Sequence, residues 1–324
     1  MSSSRKTLLV TGATGKQGGA LIDALLAAPD AGGFNIVAVT RDATSPRAQK
    51  LAAHFNVSVV AGDVADADAL FASIPAAARP VWGLYSVQVN SDAEEAQGRA
   101  LVDAAAAHGV RHIVYSSGDR GGPAKSPTNP TTVKNFAAKF HIEKHLEAVV
   151  AAANNAAADP PKLAMTYTIL RPVSFFENLT NDVHGRGFAR MWEQMSSGSG
   201  SGSGNGNAKK LQLVATRDIG WFAAQAFMRP EDYANTALTL VGDELTQPEA
   251  DVLFRQIVGT PMPLAPCPIA SAVKFFLKGT VGDMFRWFEQ EGYGGDVAEC
   301  RRRHPEMRDF KAWLDENKGQ WAKR

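Results

Sequence analysis

The stretch from Leu8 to Gly19 constrains the fold of this chain more than any other part of the sequence. An apolar run, LLV, is followed by TGATGKQGG, and the helix-forming stretch ALIDALL comes directly after it. A strand, a glycine turn and a helix in this order form a phosphate-binding device, because the helix N-terminus presents backbone amides to an anion. Glycines also occur in ordinary turns and at helix ends, so the flanking strand and helix are what favour phosphate binding by this motif.

The glycines are spaced G-x-x-G-x-x-G, and each has its own predicted role. Gly12 permits a tight turn, Gly15 lets the backbone approach a pyrophosphate, and Gly18 lets the helix pack close to the strand. We expect the whole segment to bind the phosphates of a dinucleotide. The predicted residues of this phosphate site are Gly12, Thr14, Gly15, Lys16, Gln17 and Gly18.

Apolar strands and helices alternate through the first half of the chain, which predicts an α/β fold with a doubly wound parallel sheet of the Rossmann type. Ser45 is expected to cap the second helix, and Pro46 to open it. The predicted strands after the first are 35–40, 57–60, 81–87, 112–117, 165–171 and 237–241. The predicted helices after the first are 46–51, 66–74, 92–108, 133–153 and one through Met228 that Asp218 can cap.

The pattern changes near residue 176, and we expect a smaller, mostly helical subdomain that binds substrate or a partner. Its aromatic residues are expected to pack its own core. The predicted division assigns 1–175 and 211–245 to the dinucleotide-binding Rossmann core, and 176–210 and 246–324 to the subdomain. The predicted helical regions of its C-terminal part are 247–258, 269–288 and 296–317.

Residues 196–207, SSGSGSGSGNGN, have almost no side chain to bury, and their composition predicts a flexible loop. Such a loop is either a tolerated surface insertion or an active-site lid. The sequence does not decide between these two interpretations.

Composition limits the classes of partner. The 324 residues are 45% hydrophobic and 21% charged with a formal net charge of +1, which is typical of a soluble globular protein and offers no basic field for direct nucleic-acid binding. The sequence contains no run of eighteen apolar residues, so no membrane span is predicted. The two cysteines, Cys267 and Cys300, lack metal-ligand spacing, so we expect no metal site and a reducing compartment, either cytoplasmic or also nuclear.

Ligands of a doubly wound sheet bind at the carboxyl ends of its strands. The second strand ends in Thr40-Arg41-Asp42, where NAD-dependent enzymes usually place an acid first. A guanidinium suits a 2′-phosphate, so we predict that Arg41 selects NADP(H) over NAD(H), with Lys16 and Arg47 as helpers. An exposed arginine without a ligand is the alternative.

The next two strand ends supply further candidates. Asp63 and Val64 follow the third strand and could meet the adenine edge, although Asp63 could equally be a plain turn aspartate. Ser86 and Gln88 end the fourth strand, and we expect them beside the ribose and nicotinamide.

Five stretches resemble the NmrA-like proteins, which are atypical members of the short-chain dehydrogenase/reductase superfamily. The stretches are TGATGKQG at 11–18, VTRD at 39–42, GDV at 62–64, Lys139 with Glu143, and TILRP at 168–172 with FFEN at 175–178. The resemblance implies NADP binding through the glycine loop, Arg41, Lys139 and the segment around Phe176 and Asn178. Some members of the family are redox sensors that regulate partner proteins, and others are reductases.

Asn135 and Lys139 are four residues apart, hence on one helix face. Short-chain dehydrogenases hold a tyrosine and a lysine at this spacing; the lysine binds the nicotinamide ribose and lowers the pKa of the phenol. Asparagine can donate a hydrogen bond to a carbonyl but does not titrate near neutral pH. Lys139 and Asn135 are the candidate catalytic residues, and the chemically suitable alternative proton donors are Tyr85, Tyr115, His141 and His184.

Two functions are consistent with these residues. The first is an NADP(H)-dependent oxidoreductase that reduces a small apolar carbonyl, enone or quinone. Its pocket is expected to be closed by Phe175, Phe176 and C-terminal aromatics. The second is an NADP(H)-binding sensor that controls a partner protein without turnover.

Overall fold

The computed structural model describes residues 5–29, 33–156, 164–197, 208–266 and 281–321. The chain divides into two compact units, each assembled from separate stretches of sequence. The first unit comprises Met1–Ser117, Ala138–Arg171 and Arg217–Leu238, and the second comprises Gly118–Ala137, Pro172–Thr216 and Thr239–Arg324.

The first unit is built on a seven-stranded sheet. Its strands are β1 (Lys6–Val10), β2 (Phe34–Thr40), β3 (Val57–Ala61), β4 (Val81–Ser86), β5 (His112–Ser116), β6 (Thr166–Pro172) and β9 (Thr236–Leu240). Their order across the sheet is β3-β2-β1-β4-β5-β6-β9, and every neighbouring pair from β3 to β6 is parallel. The order reverses beside β1, and in a sheet of this kind such a reversal opens a ligand crevice at the carboxyl ends of the strands.

Helices accompany the sheet in the predicted alternation, which confirms the Rossmann-type fold. They are α1 (Lys16–Ala27), α2 (Pro46–Ala52), α3 (Ala67–Ser73), α4 (Glu94–Ala107), α6 (Lys134–Ala156), whose first turn belongs to the second unit, α8 (Thr216–Met228) and α9 (Pro230–Tyr233). The predicted cap of α2 is confirmed, because the Ser45 hydroxyl accepts a hydrogen bond from the amide of Ala48 at 3.3 Å. Leu9, Val37, Leu84 and Ile113 are buried in the core of this unit.

The second unit contains a three-stranded sheet and short helices. Its strands are β7 (Ser174–Phe175), β8 (Leu211–Val214) and β10 (Asp243–Leu245). Its helices are α5 (Gly122–Lys125), α7 (Val183–Ser196), α10 (Gln247–Val258), α11 (Val281–Gln290), α12 (Val297–Arg303) and α13 (Phe310–Asn317). The expected aromatic core is present: Trp287, Phe288 and Trp313 are buried in one cluster.

The division into units differs from the predicted one at its borders. Four segments that were predicted in the core group with the second unit: 118–137, 172–175 with strand β7, 211–216 with strand β8, and 239–245 with strand β10. Strands of two to four residues are too short to show a period in the sequence, which is why this sheet was not predicted.

Two predicted helix boundaries also need correction. Asp218 does not precede a helix, since α8 begins at Thr216 and Asp218 lies inside its first turn. The region predicted at 296–317 is two helices, separated at His304–Asp309 around Pro305. The part 198–207 of the predicted flexible loop, and the part 269–280 of the predicted helical region 269–288, lie outside the described residues.

Within the described ranges, no helix combines the length and the apolar character needed to cross a membrane. The same part of the chain holds no cluster of three or more His, Cys, Asp or Glu side chains arranged for a metal ion.

Candidate functional site

The glycines of the segment between β1 and α1 are closely surrounded by other atoms. Gly12 has a φ of +58°, which disfavours any residue with a side chain, and a Cβ there would lie 2.9 Å from Cγ1 of Val87. A Cβ on Gly15 would lie 3.0 Å from the Gly12 carbonyl oxygen, and one on Gly18 only 2.3 Å from it. Gly12 and Gly18 are therefore required to bring the start of α1 against the end of β1, and a side chain at Gly15 would make a tight contact.

The N-terminus of α1 is open to a ligand. Gly15 is its N-cap residue and supplies no side chain to accept from the first-turn amides. Amides at this end of a helix have no carbonyl acceptor within the helix and attract anions. Gly12 and Gly15 are exposed, so the loop presents its backbone to solvent.

Thr11 ties the glycine loop to the end of β4. Its hydroxyl donates to the carbonyl oxygen of Tyr85 at 3.0 Å and accepts from the amide of Val87 at 3.0 Å. The carboxyl ends of β1 and β4 are thereby held together at the point where the strand order reverses.

Ser86 and Gln88 lie on this same strand end, and both are buried. The Gln88 amide nitrogen Nε2 donates to the Ser86 hydroxyl at 2.9 Å, whereas its Oε1 is buried and has no hydrogen-bond partner in the described part of the chain. A buried acceptor without a donor costs free energy. Its position beside the glycine loop fits a ligand that brings a hydrogen-bond donor.

Gln17 points inward instead of toward solvent. Its Oε1 accepts from the Ser116 hydroxyl at 2.6 Å and from the Tyr85 phenol at 3.4 Å. Burial raises the pKa of Tyr85 far above its ordinary value. Tyr85 is therefore a poor proton donor at neutral pH, and the side chain of Gln17 connects α1 with strands β4 and β5.

Arg41 and Asp42 at the end of β2 differ in their contacts. Asp42 Oδ1 accepts from the amide and the hydroxyl of Thr44 at 2.8 and 2.6 Å, and these bonds lower the pKa of Asp42. Arg41 and Arg47 are exposed, and neither makes a hydrogen bond or ion pair with a described residue. The end of β2 therefore offers an unpaired cation, while the neighbouring carboxylate is used in a local turn.

The remaining residues near these strand ends have local contacts. The Thr14 hydroxyl lies 3.4 Å from that of Thr40, and Lys16 is exposed. Asp63 Oδ1 accepts from the amide of Ala65 at 3.0 Å, which is the turn geometry left open as the alternative. Val64 packs partly against the core of the first unit.

Lys139 makes a contact that the sequence analysis missed. Its ammonium lies 2.6 Å from Oε1 of Glu94, the first residue of α4, and the two side chains are 18% and 0% exposed. The one available signal was a glutamate at the start of an alanine-rich helix, and helix starts favour glutamate in any case.

The family-like Lys139 and Glu143 spacing has a structural explanation. Glu143 is fully buried and accepts from the Arg171 guanidinium through both oxygens, with Nη2–Oε2 at 2.8 Å and Nε–Oε1 at 3.1 Å. The hydroxyl of Ser117 also donates to Glu143. This buried, bidentate pair joins α6 to β6 and accounts for the arginine of the TILRP stretch.

The FFEN segment forms part of the core of the second unit. The Phe176 ring is fully buried and stacks on Trp313 at 5.4 Å. Glu177 accepts from the Thr216 amide at 3.1 Å and from Trp313 Nε1 at 3.2 Å, and burial raises its pKa. Asn178 is half-buried.

The other candidates for proton transfer have ordinary environments. Asn135 is half-buried in the first turn of α6, and Tyr115 is fully buried in β5. His141 bonds Glu95 at 2.8 Å on an exposed surface, and His184 lies exposed in the first turn of α7. The roles predicted for Lys139, Asn135, Phe176 and Asn178 remain predictions.

The strand order and the glycine loop define a Rossmann-type α/β protein. A model of the NmrA-like family matches residues 4–314, and the chain belongs to this family.

Curated relatives match parts of the chain. The NmrA-like family domain-containing oxidoreductase lnaB of Aspergillus flavus is 35% identical over 128 residues, which are 36% of this chain and 36% of the relative. The oxidoreductase malD of Malbranchea aurantiaca, named in the same way, is 28% identical over 188 residues, 55% of this chain and 49% of the relative. The matched part thus spans less than half the length of each relative.

Solved structures match nearly the whole fold. Triphenylmethane reductase from Citrobacter sp., complexed with NADP(H), has a TM-score of 0.67 at 18% identity over 96% of this chain and 99% of its own. NmrA, a negative transcriptional regulator in complex with NADP, has a TM-score of 0.63 at 18% identity, over 97% of this chain and 95% of its own. An NADPH-dependent quinone oxidoreductase from Escherichia coli has a TM-score of 0.67 at 20% identity, over 96% of this chain and 99% of its own. At these identities the likeness concerns the fold.

Proposed function

We propose that this protein binds NADP(H) and reduces a small apolar carbonyl, enone or quinone. The observation that carries the proposal is the close packing at the glycines of the loop, together with the buried Oε1 of Gln88, which has no partner among the described residues. The free guanidinium of Arg41 supports NADP(H) over NAD(H), because a 2′-phosphate would supply its missing partner.

In this proposal, each part of the dinucleotide would be held by residues of the first unit. The loop from Gly12 to Gly18 and the start of α1 would hold the pyrophosphate, and Arg41 with Arg47 the 2′-phosphate. Ser86 and Gln88 would lie toward the ribose and nicotinamide, and Lys139 would donate to the ribose. When bound, the nicotinamide supplies the hydride, and the protein supplies position and a dry environment.

The substrate class is proposed from chemistry and from the relatives. Curated relatives carry the name oxidoreductase, and a neighbour in fold is a quinone oxidoreductase. The aromatic composition of the second unit, with the half-exposed ring of Phe175, is suited to apolar compounds.

The test is NADPH consumption across a panel of carbonyl, enone and quinone compounds, followed by absorbance. We expect turnover with at least one compound, and a loss of about 10–100-fold in kcat/KM in Lys139→Ala, because an ammonium that orients the cofactor is removed. Tight NADP binding without any NADPH oxidation above background would refute the reductase function.

That result would favour the second candidate, an NADP(H) sensor. The observation behind it is that Asn135 occupies the expected tyrosine position, while burial raises the pKa of both Tyr85 and Tyr293. A sensor would bind NADP and NADPH without consuming them, and its affinity for a protein partner would differ between the two forms. Equal partner affinity with either form would exclude this role.

A further inference from the structure

The ion pair between Glu94 and Lys139 is incomplete as a structural contact. Glu94 is fully buried, and only its Oε1 is engaged, by the ammonium of Lys139 at 2.6 Å. Its Oε2 is buried and has no partner among the described residues. The ammonium has three donor hydrogens and makes no other described contact than that with Glu94.

The neighbouring pair on the same helix shows what a complete contact looks like. Glu143, one turn after Lys139, uses both oxygens on Arg171 and also accepts from Ser117. A buried carboxylate is costly unless its acceptors are filled, and Glu143 meets that condition whereas Glu94 does not. The pair that is complete is structural, and the incomplete pair has capacity for a third group.

The spare groups of the incomplete pair define the chemistry of that third group. Lys139 has donors left and Glu94 has an acceptor left, and a hydroxyl both accepts and donates. Lys139 is 18% exposed and Glu94 is buried, so a ligand would approach the pair from the side of Lys139. Resting on the function proposed above, the hydroxyl belongs to a ribose of the bound dinucleotide.

We propose that Glu94 is a positioning residue of the dinucleotide site, which fixes the Lys139 ammonium and completes with it a donor and acceptor pair for a ribose hydroxyl. Glu94 thus determines how tightly the nicotinamide half of NADP(H) is held. The adenosine half, which we assign to Arg41 and the glycine loop, does not depend on it.

Binding measurements on Glu94→Gln test this with two probes, NADPH and adenosine 2′,5′-bisphosphate, which carries the 2′-phosphate but no nicotinamide ribose. Isothermal titration should show Kd for NADPH raised about tenfold, the scale of one charge-assisted hydrogen bond, and Kd for the bisphosphate changed less than about twofold. A merely structural role would weaken both probes equally or neither, and either result would overturn the proposal.

Glu95→Gln is the matched control. Glu95 is the next residue of α4 and also pairs with α6, through His141 at 2.8 Å, but both of its partners, His141 and Arg99, are exposed. We expect its Kd for both probes to stay within about twofold of the wild type. A loss of NADPH affinity in Glu95→Gln as large as that in Glu94→Gln would contradict a specific role for Glu94.

A double mutant separates action through Lys139 from a remote effect. In a Lys139→Ala background, Glu94→Gln should weaken NADPH binding by less than about twofold, because the two residues serve one hydroxyl. A full tenfold loss in that background would overturn the proposal. If Glu94→Gln does not fold, Glu94→Asp is measured in the same way, and equal losses for both probes again count against it.

The controls distinguish this inference from the proposed function. If the wild-type protein binds neither probe, both fail together. If it binds both probes and Glu94→Gln retains the wild-type ratio of the two Kd values, only the role of Glu94 fails.

Discussion

Arg41 and Asp42 are adjacent at the end of β2, yet of the two only Asp42 has a side-chain hydrogen bond to another described residue. Two hydrogen bonds from Thr44 hold the carboxylate in a turn, and the guanidinium of Arg41 extends from an exposed position. Both of these bonds go to Oδ1, so a ribose 2′-hydroxyl would have only Oδ2 of this carboxylate outside the turn. A 2′-phosphate would meet an unpaired cation, so the two side chains favour the phosphorylated cofactor.

Arg41→Asp should therefore discriminate between the two cofactors. We expect Kd for NADPH to rise about 10–100-fold, the worth of a bidentate charge-assisted contact, and Kd for NADH to change less than about threefold. Fluorescence titration of both cofactors measures this. Arg41→Lys keeps the charge without the planar guanidinium, and its Kd for NADPH should lie between those of the wild type and Arg41→Asp. Equal losses of affinity for NADPH and NADH in Arg41→Asp would refute the selector role.

At the scale of elements, the decisive contact is that between the start of α1 and the end of β1. Gly18 and Gly19 are adjacent in the first turns of the same helix, yet their surroundings differ. A Cβ at Gly18 would lie 2.3 Å from the Gly12 carbonyl oxygen, a distance that the backbone cannot relieve locally. A Cβ at Gly19 would lie 3.4 Å from the Ala13 carbonyl oxygen, which is an ordinary contact.

Gly18→Ala should lower the free energy of unfolding by roughly 2–3 kcal/mol and weaken NADPH binding, because helix and loop must separate. Gly19→Ala should be neutral or stabilising by up to about 1 kcal/mol, since alanine favours a helix interior. Urea denaturation of both variants gives the comparison. Similar free energies of unfolding for Gly18→Ala and Gly19→Ala would show that the close approach at Gly18 is not what requires glycine there.

Sequence patterns identified most long elements and few short ones; of the long elements, the 14-residue helix α7 (Val183–Ser196) was not predicted. The strands of the first unit and helices such as α10 match the predicted ranges closely, because burial on a regular period leaves a regular pattern. The helix α5 and the strands β7, β8 and β10 were missed, because two to four residues cannot display a period. The contact between Glu94 and Lys139 was missed for another reason, since the two residues are 45 positions apart in the chain.

At the scale of the whole molecule, His112 connects the strands of the main sheet. Its Nδ1 lies 2.8 Å from the Thr166 hydroxyl and its Nε2 lies 3.2 Å from that of Thr168, with the rings of Trp82 and Phe227 packed nearby. Burial, aided by the positive charge of Lys6, lowers the pKa of His112 to about 4. The folded protein thus keeps a neutral imidazole in its sheet.

This histidine should make stability depend on pH. The unfolded chain takes up the proton near pH 6.5 and the folded protein only near pH 4, so protonation favours unfolding between these values. Neutral His112 makes its full contribution to the free energy of unfolding above pH 6.5, and about 3 kcal/mol of that free energy is lost by pH 4. Urea denaturation between pH 4 and pH 6.5 should show that the free energy of unfolding depends less on pH in His112→Gln than in the wild type.

The exposed His54 provides the control, since His54→Gln should retain the wild-type dependence. If His112→Gln and the wild type lose stability in parallel from pH 6.5 to pH 4, the neutral buried imidazole is not the cause.

The sequence by itself determined the Rossmann-type fold, the position of the glycine loop and the cation at the end of β2. These are local features, in which the side-chain pattern and the glycine positions carry the information within a few residues. Only the tertiary structure decided that Gln17 turns inward to Ser116, that Gln88 leaves an acceptor unpaired, and that Glu94 meets Lys139. The contacts of Gln17 and Glu94 join residues 99 and 45 positions apart, and burial depends on how the elements pack.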